Sequence, residues 1–399
     1  MQSKADHATA AHARLSFDRL GLVIALIIIV ALVQPFALVR PNRIAATAPV
    51  TILDALPFWQ SLAMIALALG SVLAMVWRTA PQLRLAILSV SLLALAITIG
   101  SSASYLTPSD NDYARVSPGS SFWLMFLALA LAIGDTFVRL QLKPLTRLAA
   151  LAVFIIVLGI FLYAGVWSDL SILKEYASHR GPFMNALSTH ALLAGGSLVV
   201  AFLIATPIGI LIHRIKRLRD AVLSVFNVIQ TIPSMALFGM LIAPLAWVAA
   251  TFPGAAALGI AGIGPAPAFI ALVAYALLPL ALATVTGLDS VAPAVVDAAN
   301  GVGMTRFQRL FSVELPLAFP VILTGIRVVL VQNIGLAVIA GLVGGGGLGI
   351  FVFQGISQTA TDLVLLGALP TVAMAFAAAI LLDALIEISR GHPNMEQSP

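Results

Sequence analysis

Residues 293–316 read PAVVDAANGVGMTRFQRLFSVELP, and they interrupt a chain that is otherwise almost entirely apolar on both sides. Pro293 suits the first position of a helix because its missing N–H would have no partner there. Asp289 and Ser290 lie just upstream and are candidate N-terminal caps. The stretch therefore predicts a short polar helix at the start of a connection between two hydrophobic segments.

The same stretch contains signals for a turn and a second helix. Asn300-Gly301 and Gly303 are expected to end the first helix. Thr305 and Gln308 have the spacing of a capping box and predict a new helical start. Leu315-Pro316 is expected to end that second helix before the next apolar run. The sequence thus predicts a helix–turn–helix whose small residues allow another protein to approach closely.

The composition indicates the surroundings of this polar stretch. Of 399 residues, 61% are hydrophobic and only 9% are charged, with a mean hydropathy of +1.07. A chain with so few charged residues cannot form a water-soluble surface. It is therefore expected to be an all-α polytopic membrane protein with about ten transmembrane helices. The ten apolar runs are Leu20–Val39, Trp59–Trp77, Leu85–Tyr105, Phe122–Val138, Leu148–Trp167, Leu187–Ile212, Val222–Ala250, Ala268–Leu288, Leu317–Val343 and Leu363–Ile388. The seventh contains Pro233 and Pro244 and is expected to be kinked or partly re-entrant.

The distribution of positive charge predicts the orientation. With both termini in the cytoplasm, fifteen Lys and Arg residues fall on the inner side and five on the outer side. The inner set is Lys4, Arg14, Arg19, Arg78, Arg84, Arg139, Lys143, Arg147, Arg214, Lys216, Arg217, Arg219, Arg306, Arg309 and Arg390; the outer set is Arg40, Arg43, Arg115, Lys174 and Arg180. This orientation puts residues 289–316 in the cytoplasm. The net charge of +5 is dispersed over loops and does not indicate nucleic-acid binding.

The polar stretch resembles the EAA loop of binding-protein-dependent ABC importers. That family's pattern is Glu-Ala-Ala, three residues, Gly, nine residues, an aliphatic residue, any residue, then Leu-Pro. The spacing matches throughout, and the one departure is an Asp in place of the Glu, which keeps the charge and shortens the side chain by one methylene. The resemblance implies that the loop docks on an ATPase subunit through Asp297, Ala298, Ala299, Gly303, Val313, Leu315 and Pro316.

The second half of the chain also resembles one branch of these importers, the osmoprotectant permeases for glycine betaine, choline and carnitine. The resembling segments are His190–Leu193, Thr206–Ile212, Gln230–Gly239, Tyr275–Pro279, Pro320–Arg327 and Gly344–Gly349. The resemblance implies a type I ABC importer permease core that imports a small osmoprotectant, either a quaternary amine or a proline-like solute. Another small solute, such as an amino acid, remains open.

The resemblance also implies the partners and the cellular location. These are ABC ATPase subunits that bind ATP and Mg²⁺, an extracytoplasmic substrate-binding protein, and a second permease copy or a paralogous permease. The chain itself is expected to hold no cofactor, to hydrolyse no ATP and to lie among lipids of the bacterial inner membrane. Three regions are expected: 1–180 with five spans of unknown role, 181–390 as the importer domain, and 391–399 as a cytoplasmic tail.

Two further groups are candidates for the translocation path or its gate. Gln230, Thr231 and Ser234 surround Pro233, whose kink frees backbone carbonyls that need polar partners. Gly344, Gly345, Gly346 and Gly347 form a run at the outer end of the ninth span. No Lys-Ser/Thr follows the run, so it is not a phosphate-binding loop. An outer gate and a plain re-entrant turn both remain open for it.

Charges inside spans separate this interpretation from its rivals. Arg327 is expected near the inner interface, paired with Glu314 or Asp297, while Asp135, Asp383 and Glu387 are expected at the cytoplasmic ends of their spans. An ion-coupled secondary transporter would need acids at mid-membrane or paired broken helices. A membrane-embedded enzyme would need a polar catalytic cluster. The sequence has no cysteine and no histidine–carboxylate spacing typical of a metal site.

Overall fold

A computed structural model describes residues 18–43, 45–77, 79–108, 111 and 113–390. Lys4, Arg14, Arg78 and the tail 391–399, which entered the orientation and domain predictions, lie outside the described residues. The chain divides into two compact units. One contains residues 1–142 and 155–174, and the other contains residues 143–154 and 175–399. Helices α6 (Pro144–Tyr163) and α7 (Ser171–Ser178) each contribute residues to both units.

The first unit is a helical bundle with a small antiparallel sheet. Its helices are α1 (Arg19–Leu32), α2 (Ile52–Ala55), α3 (Phe58–Val76), α4 (Pro81–Leu106) and α5 (Ser120–Leu140). Strand β1 (Ala37–Arg40) lies between β2 (Ala48–Val50) and β3 (Arg115–Pro118), with Leu38 opposite Pro49 and Ser117. Fully buried apolar side chains from four helices form the core: Ile28, Met64, Leu88, Leu95 and Met125.

An ion network joins three helix ends of this unit. Asp18 caps α1, and its carboxylate accepts from Arg84 of α4 at 3.3 Å and from Arg139 of α5 at 2.5 Å. Asp135 accepts from Arg84 at 2.8 Å and from Arg139 at 2.7 Å. Burial raises the pKa of Asp18, but the backbone N–H of Gly21 and the two guanidinium groups outweigh burial and hold that pKa below its usual range.

The second unit is built on long helices. They are α8 (Arg180–Arg214), α9 (Lys216–Thr231), α10 (Ser234–Met240), α11 (Ile242–Thr251), α12 (Pro265–Asp289), α13 (Pro293–Gly301), α14 (Arg306–Arg309), α15 (Leu315–Leu336), α16 (Gly349–Ser357) and α17 (Thr361–Ser389). Short 3₁₀ segments cover Ala256–Leu258 and Ala337–Val343, and a π-helical turn covers Leu310–Glu314.

Small residues allow α8, α12 and α15 to pack closely. Gly209 of α8 lies where an added Cβ would be 2.7 Å from the Cβ of Thr284 in α12. Gly325 of α15 faces Ala283 of α12 in the same way. Helices that pack inside a membrane commonly bring their backbones together at such small residues, because lipid offers no hydrophobic driving force between them. These three helices therefore form the tightly packed centre of the unit.

The spans broadly agree with the sequence prediction, with two corrections. Among the described residues, nine helical segments are long and apolar enough to cross a membrane, with α10 and α11 counted together as Ser234–Thr251, and α1 is a shorter apolar helix of 14 residues. The predicted first span Leu20–Val39 is wrong in its extent, because the helix ends at Leu32 and residues from Ala37 pair in the sheet. The predicted run Val222–Ala250 is divided among α9, α10 and α11, with the break at Ile232-Pro233 as the proline predicted.

Candidate functional site

The candidate site is the polar connection between α12 and α15. Its first helix, α13, begins at Pro293 as predicted. The expected caps are wrong: Ala292 is the N-cap, and α12 continues to Asp289 and leaves Ser290 as its C-cap. The Ser290 hydroxyl donates to the carbonyl of Gly287 at 2.7 Å. The helix α12 thus includes the polar residue Asp289, which the sequence placed in the connection.

The turn after α13 is a Schellman motif centred on Gly303. The N–H of Gly303 bonds the carbonyl of Asn300 at 3.0 Å, and the N–H of Met304 bonds that of Ala299 at 3.1 Å. Gly303 has φ = +80°, a conformation that costs other residues free energy. A Cβ added there would meet no atom of this chain within 4 Å. The backbone conformation alone therefore requires glycine within this chain.

The second helix begins with the predicted capping box. The N–H of Gln308 donates to the Thr305 hydroxyl at 3.3 Å, and the N–H of Thr305 donates to the side-chain oxygen of Gln308 at 2.8 Å. Two backbone donors at the helix start are satisfied in this way. The capping box fixes the direction in which α14 leaves the turn.

The expectation that Leu315-Pro316 ends this helix is wrong. The backbone stays helical from Arg306 through Leu336, with a π-helical turn at Leu310–Glu314 that is separated from Pro316 only by Leu315. A π turn bonds each N–H to a carbonyl five residues back, so the helix widens where the proline ring and its missing donor would otherwise disturb it. The candidate site is therefore continuous with the membrane helix α15.

A buried carboxylate anchors the connection to the end of α8. Glu314 is only 3% exposed, accepts from Arg309 at 2.8 Å and also pairs with Arg214, the last residue of α8. Arg309 in turn donates to the side-chain oxygen of Asn300 on α13. The charge of Glu314 is thus compensated: its two oxygens join the end of α8 to α14, and the guanidinium of Arg309 extends the network to α13.

A second ion cluster lies beside the first. Asp289, at the end of α12, contacts His213 at 2.9 Å and Arg219 of α9 at 3.2 Å. These groups are partly exposed, so their contribution to stability is small, about 0–1 kcal/mol per pair. Their effect is to hold the neighbouring helix ends around the connection.

The predicted coupling residues divide between the surface and the interior. Asp297, Ala298, Gly303 and Pro316 are exposed, Ala299 is buried, and Val313 and Leu315 are half-buried. The motif therefore marks both the outer face of the connection and its attachment to the helices below. It is a packing pattern as well as a surface pattern.

The structure adds apolar residues that the motif did not include. Val302 and Phe307 are both 76% exposed, and Phe311 is 62% exposed, all on this otherwise polar connection. Exposed large apolar groups in such a cluster are typical of a protein–protein contact. Their signal in the sequence was the occurrence of two phenylalanines and a valine in a short polar stretch between spans.

The kink at Pro233 is fastened to α12. Gln230 donates to the backbone carbonyl of Tyr275 at 2.9 Å, and the Tyr275 hydroxyl donates to the carbonyl of Ile232. The hydroxyl of Thr231 donates to the carbonyl of Val228, one turn back on its own helix, at 2.7 Å. Ser234 begins α10. The Tyr275 hydroxyl thus supplies a partner for a carbonyl at the kink, and Gln230 supplies one for the α12 carbonyl four residues before Pro279, as the absence of water in a membrane interior requires.

The glycine run forms a closely packed turn between the 3₁₀ segment and α16. Gly344, Gly346 and Gly347 have φ between +74° and +81°. A Cβ at Gly345 would lie 3.1 Å from both Ala340 and the backbone oxygen of Gly264, while a Cβ at Gly347 would lie 3.2 Å from His190. The glycines therefore satisfy both backbone conformation and close approach in this turn.

The expected partners of Arg327 are wrong. Its guanidinium contacts Asp383 of α17 at 2.7 Å, because both side chains project between α15 and α17, whereas Glu314 is already held by Arg214 and Arg309. Glu387 pairs with Arg147 at 3.2 Å. The described residues include no group of three or more His, Asp or Glu suited to a metal ion.

Comparison with known proteins yields two family matches. The family described as "Binding-protein-dependent transport system inner membrane component" matches residues 197–390. The family described as "ABC transporter permease YehY, N-terminal domain" matches residues 18–173. The boundary between the two matches lies in the region of α7 and the first half of α8.

Several curated relatives cover the second half of the chain. The osmoprotectant import permease protein OsmW of Salmonella typhimurium is 40% identical over 197 residues, which are 49% of this chain and 85% of that protein. The choline transport system permease protein OpuBD of Bacillus subtilis is 35% identical over 53% of this chain and 87% of its own length. The carnitine transport permease protein OpuCD of Listeria monocytogenes is 36% identical over 53% and 89%.

A solved structure of the MetNI methionine ABC transporter in an inward-facing conformation also aligns with the chain. Its TM-score is 0.43 at 20% sequence identity, covering 51% of this chain and 95% of that one.

Proposed function

Because the chain belongs to the family of binding-protein-dependent transport inner-membrane components, the permease subunits of ABC importers, we propose that it imports a small osmoprotectant such as glycine betaine, choline or carnitine. The observation that carries the solute class is the 35–40% identity to OsmW, OpuBD and OpuCD over 85–89% of their lengths. In this family ATP is used by a separate ATPase subunit. The chain is a multi-pass membrane protein.

The connection 289–316 is the segment that contacts the ATPase subunit and moves when that subunit binds ATP. Its exposed face, with Asp297 and Ala298 beside Val302 and Phe307, docks in a groove of the ATPase subunit, and the fixed Gly303 turn presents that face. Support comes from the clustering of large exposed apolar groups on a polar connection. Movement of the ATPase then displaces the connection together with α15, since the backbone between them is helical throughout.

Both termini lie in the cytoplasm, and the substrate-binding protein docks on the opposite face. The positive-charge distribution supports this orientation. The apolar helix α1 packs against α3 and α5, which supports counting it as a tenth, shorter crossing. Two permeases, identical or paralogous, engage two ATPase subunits. Residues 181–390 form the transport domain, and residues 1–180 form an additional membrane region.

The translocation path passes the kink at Pro233 and is closed on the outer side near the glycine turn. Gln230, Thr231 and Ser234 supply polar groups at the kink. The packing of Gly344–Gly347 against His190 and Gly264 supports a closed outer end in this conformation.

Uptake of radiolabelled glycine betaine into proteoliposomes tests the proposal. The liposomes contain the permease with its cognate ATPase, and the binding protein and ATP are supplied on their proper sides. Saturable ATP-dependent uptake that excess choline or carnitine suppresses is the expected result. Uptake of an amino acid with none of glycine betaine would refute the solute class and leave the permease assignment intact.

Single variants then separate the coupling surface from the path. Phe307→Ser is expected to lower ATPase binding to the permease, whereas Gln230→Ala is expected to leave that binding unchanged and lower uptake. If Phe307→Ser keeps full ATPase affinity, the exposed apolar face is not the docking surface.

A further inference from the structure

A polar contact joins α8 to the end of α15 at the glycine turn. The ring of His190, which is fully buried, accepts the backbone N–H of Leu348 at Nδ1 over 3.3 Å. Its Nε2 therefore carries the hydrogen and donates to the carbonyl of Ile334 at 2.9 Å. One neutral imidazole thus connects α8, the last turn of α15 and the residue that follows the glycines.

A second contact between the same two helices lies about two turns along α8. The side-chain amide of Asn333 donates to the hydroxyl of Ser197 at 2.9 Å, and that hydroxyl donates to the carbonyl of Ala194 at 3.2 Å. Asn333 and Ser197 are both fully buried. Separating them would leave an amide donor without a partner in an apolar interior, which is costly.

A third contact lies at the opposite end of the pair. Glu314, which directly precedes α15, pairs with Arg214, the last residue of α8. Arg214 follows His190 by 24 residues, so the first and third contacts are about 36 Å apart along α8 at the helical rise of 1.5 Å per residue. On α15 the first two contacts involve the neighbouring residues Ile334 and Asn333 in its last turn, and the third lies directly before its first residue, so the pair is joined at both ends of α15.

These contacts oppose sliding of one helix past the other. A displacement of even part of a turn would break the His190, Asn333 and Glu314 contacts together, and each break would leave a buried polar group unsatisfied. Packed interfaces tend to have discrete arrangements because they do not deform continuously. The contacts thus hold α8 and α15 in one axial alignment.

We propose that α8 and α15 move as one body during transport, and that Glu314 is the positioning residue that attaches α8 to the coupling connection. This inference rests on the proposed function, since the movement is the one the ATPase imposes. Displacement of the connection then reaches the glycine turn through both helices at once. The 35-residue helix α8 follows because it is held to the connection at Arg214 and to the turn at His190.

Distance measurement by pulsed electron paramagnetic resonance tests the inference directly. The chain has no cysteine, so spin labels attach only at introduced ones. Leu192→Cys on α8 and Leu317→Cys on α15 are suitable, because these residues are 73% and 53% exposed and lie near opposite ends of the joined pair. Sliding of one helix past the other then changes the distance between the two labels by nearly the full displacement. One labelled copy is assembled per complex with the ATPase, and distances are compared without nucleotide and with vanadate-trapped nucleotide.

The expected change in the 192–317 distance is far smaller than the roughly 5 Å rise of one helical turn. In the same two states, a label at Ala292→Cys in each of two copies reports whether the connection moves, since Ala292 is exposed and lies outside the proposed docking face. A moving connection with a 192–317 distance that changes by about 5 Å overturns the inference alone. A connection that does not respond to nucleotide refutes the proposed function, and the inference with it.

Transport stoichiometry tests the role of Glu314 separately. Glu314→Gln keeps the shape of the side chain and weakens its hold on Arg214, so solute imported per ATP hydrolysed is expected to fall about tenfold, within the ~5–150-fold range of typical coupling between sites. Glu387→Gln is the matched control, since its pair with Arg147 is 38–46% exposed and joins α17 to α6. A purely structural Glu314 would lower uptake and ATP hydrolysis in proportion, and that result overturns the positioning role.

Discussion

Replacing Gly303 by alanine tests how far the proposed coupling role of the connection 289–316 depends on backbone conformation. Gly303 has φ = +80°, and an added Cβ would meet no atom of this chain within 4 Å. The substitution therefore introduces no clash and costs only the left-handed conformation, about 1–2 kcal/mol for a residue with a Cβ. If the turn relaxes to escape this strain, the fraction of connections shaped for docking falls by about 5–30-fold.

Gly301 supplies a control two residues away. It is the last residue of α13, has ordinary helical backbone and also has open space around an added Cβ. Gly301→Ala is therefore expected to leave docking intact or to strengthen it slightly, because alanine favours helix over glycine by about 1 kcal/mol. Gly303→Asn is expected to lie between the two alanine variants, since asparagine tolerates the left-handed conformation better than alanine.

The measurement is the affinity of the ATPase subunit for detergent-solubilised permease, followed by solute uptake in proteoliposomes. Gly303→Ala is expected to weaken binding and uptake together, with unchanged amounts of folded permease in the membrane. Equal affinities for Gly303→Ala and Gly301→Ala would refute the reasoning, because the two variants differ only in the backbone conformation that they oppose.

Further predictions concern stability, measured by thermal unfolding in detergent. Glu314→Ala is expected to cost about 1.5–3 kcal/mol, because it removes a buried acceptor shared by two arginines, whereas Asp383→Ala should cost under about 1 kcal/mol, its pair being over a third exposed. Gly349→Ala should disrupt the glycine turn, because its Cβ would overlap a backbone carbonyl, while Gly335→Ala meets nothing. The pKa of Asp18 is depressed in the fold, so its carboxylate stabilises the fold above the unfolded pKa of 3.8 and loses this effect as the pH falls below that value. Asp18→Asn is therefore expected to reduce the loss of unfolding temperature on acidification.

Opposite outcomes would contradict each of these expectations. Equal losses for Glu314→Ala and Asp383→Ala would mean that burial does not decide the strength of these pairs. Wild-type unfolding temperature in Gly349→Ala would mean that the turn repacks freely. If the unfolding temperature of Asp18→Asn falls with acid as steeply as that of the wild type, other carboxylates cause the pH dependence.

Local signals predicted those parts of the site in which neighbouring residues determine the conformation. The capping box at Thr305 and the turn at Gly303 involve partners within about five residues, so their geometry follows from sequence spacing. The break at Pro233 follows similarly from the proline itself. Hydrophobic run length was enough to predict most spans, because one transmembrane helix needs about twenty apolar residues.

Ion-pair partners that lie far apart in the chain could not be predicted from the sequence. Arg327 and Asp383 lie 56 positions apart, and Arg214 and Glu314 lie 100 apart, so only the packing of α8, α15 and α17 brings each pair together. The short first helix was also missed, because apolar residues after Leu32 serve strand pairing in β1 rather than continuing the helix. Hydrophobicity alone does not distinguish these two outcomes.

The π-helical turn at Leu310–Glu314 also determines the direction in which the coupling surface points. Each residue of an α-helix turns the chain by about 100° about its axis, so removing one residue there would swing α13 and its exposed face about a quarter-turn around α15. The number of residues in this segment thus determines the direction in which the exposed face of α13 points around α15. Substitutions that keep the chain length would preserve the direction of that face, whereas deletion of Ser312 alone would turn Asp297, Ala298 and Val302 away from the proposed partner while leaving each of these three residues unchanged.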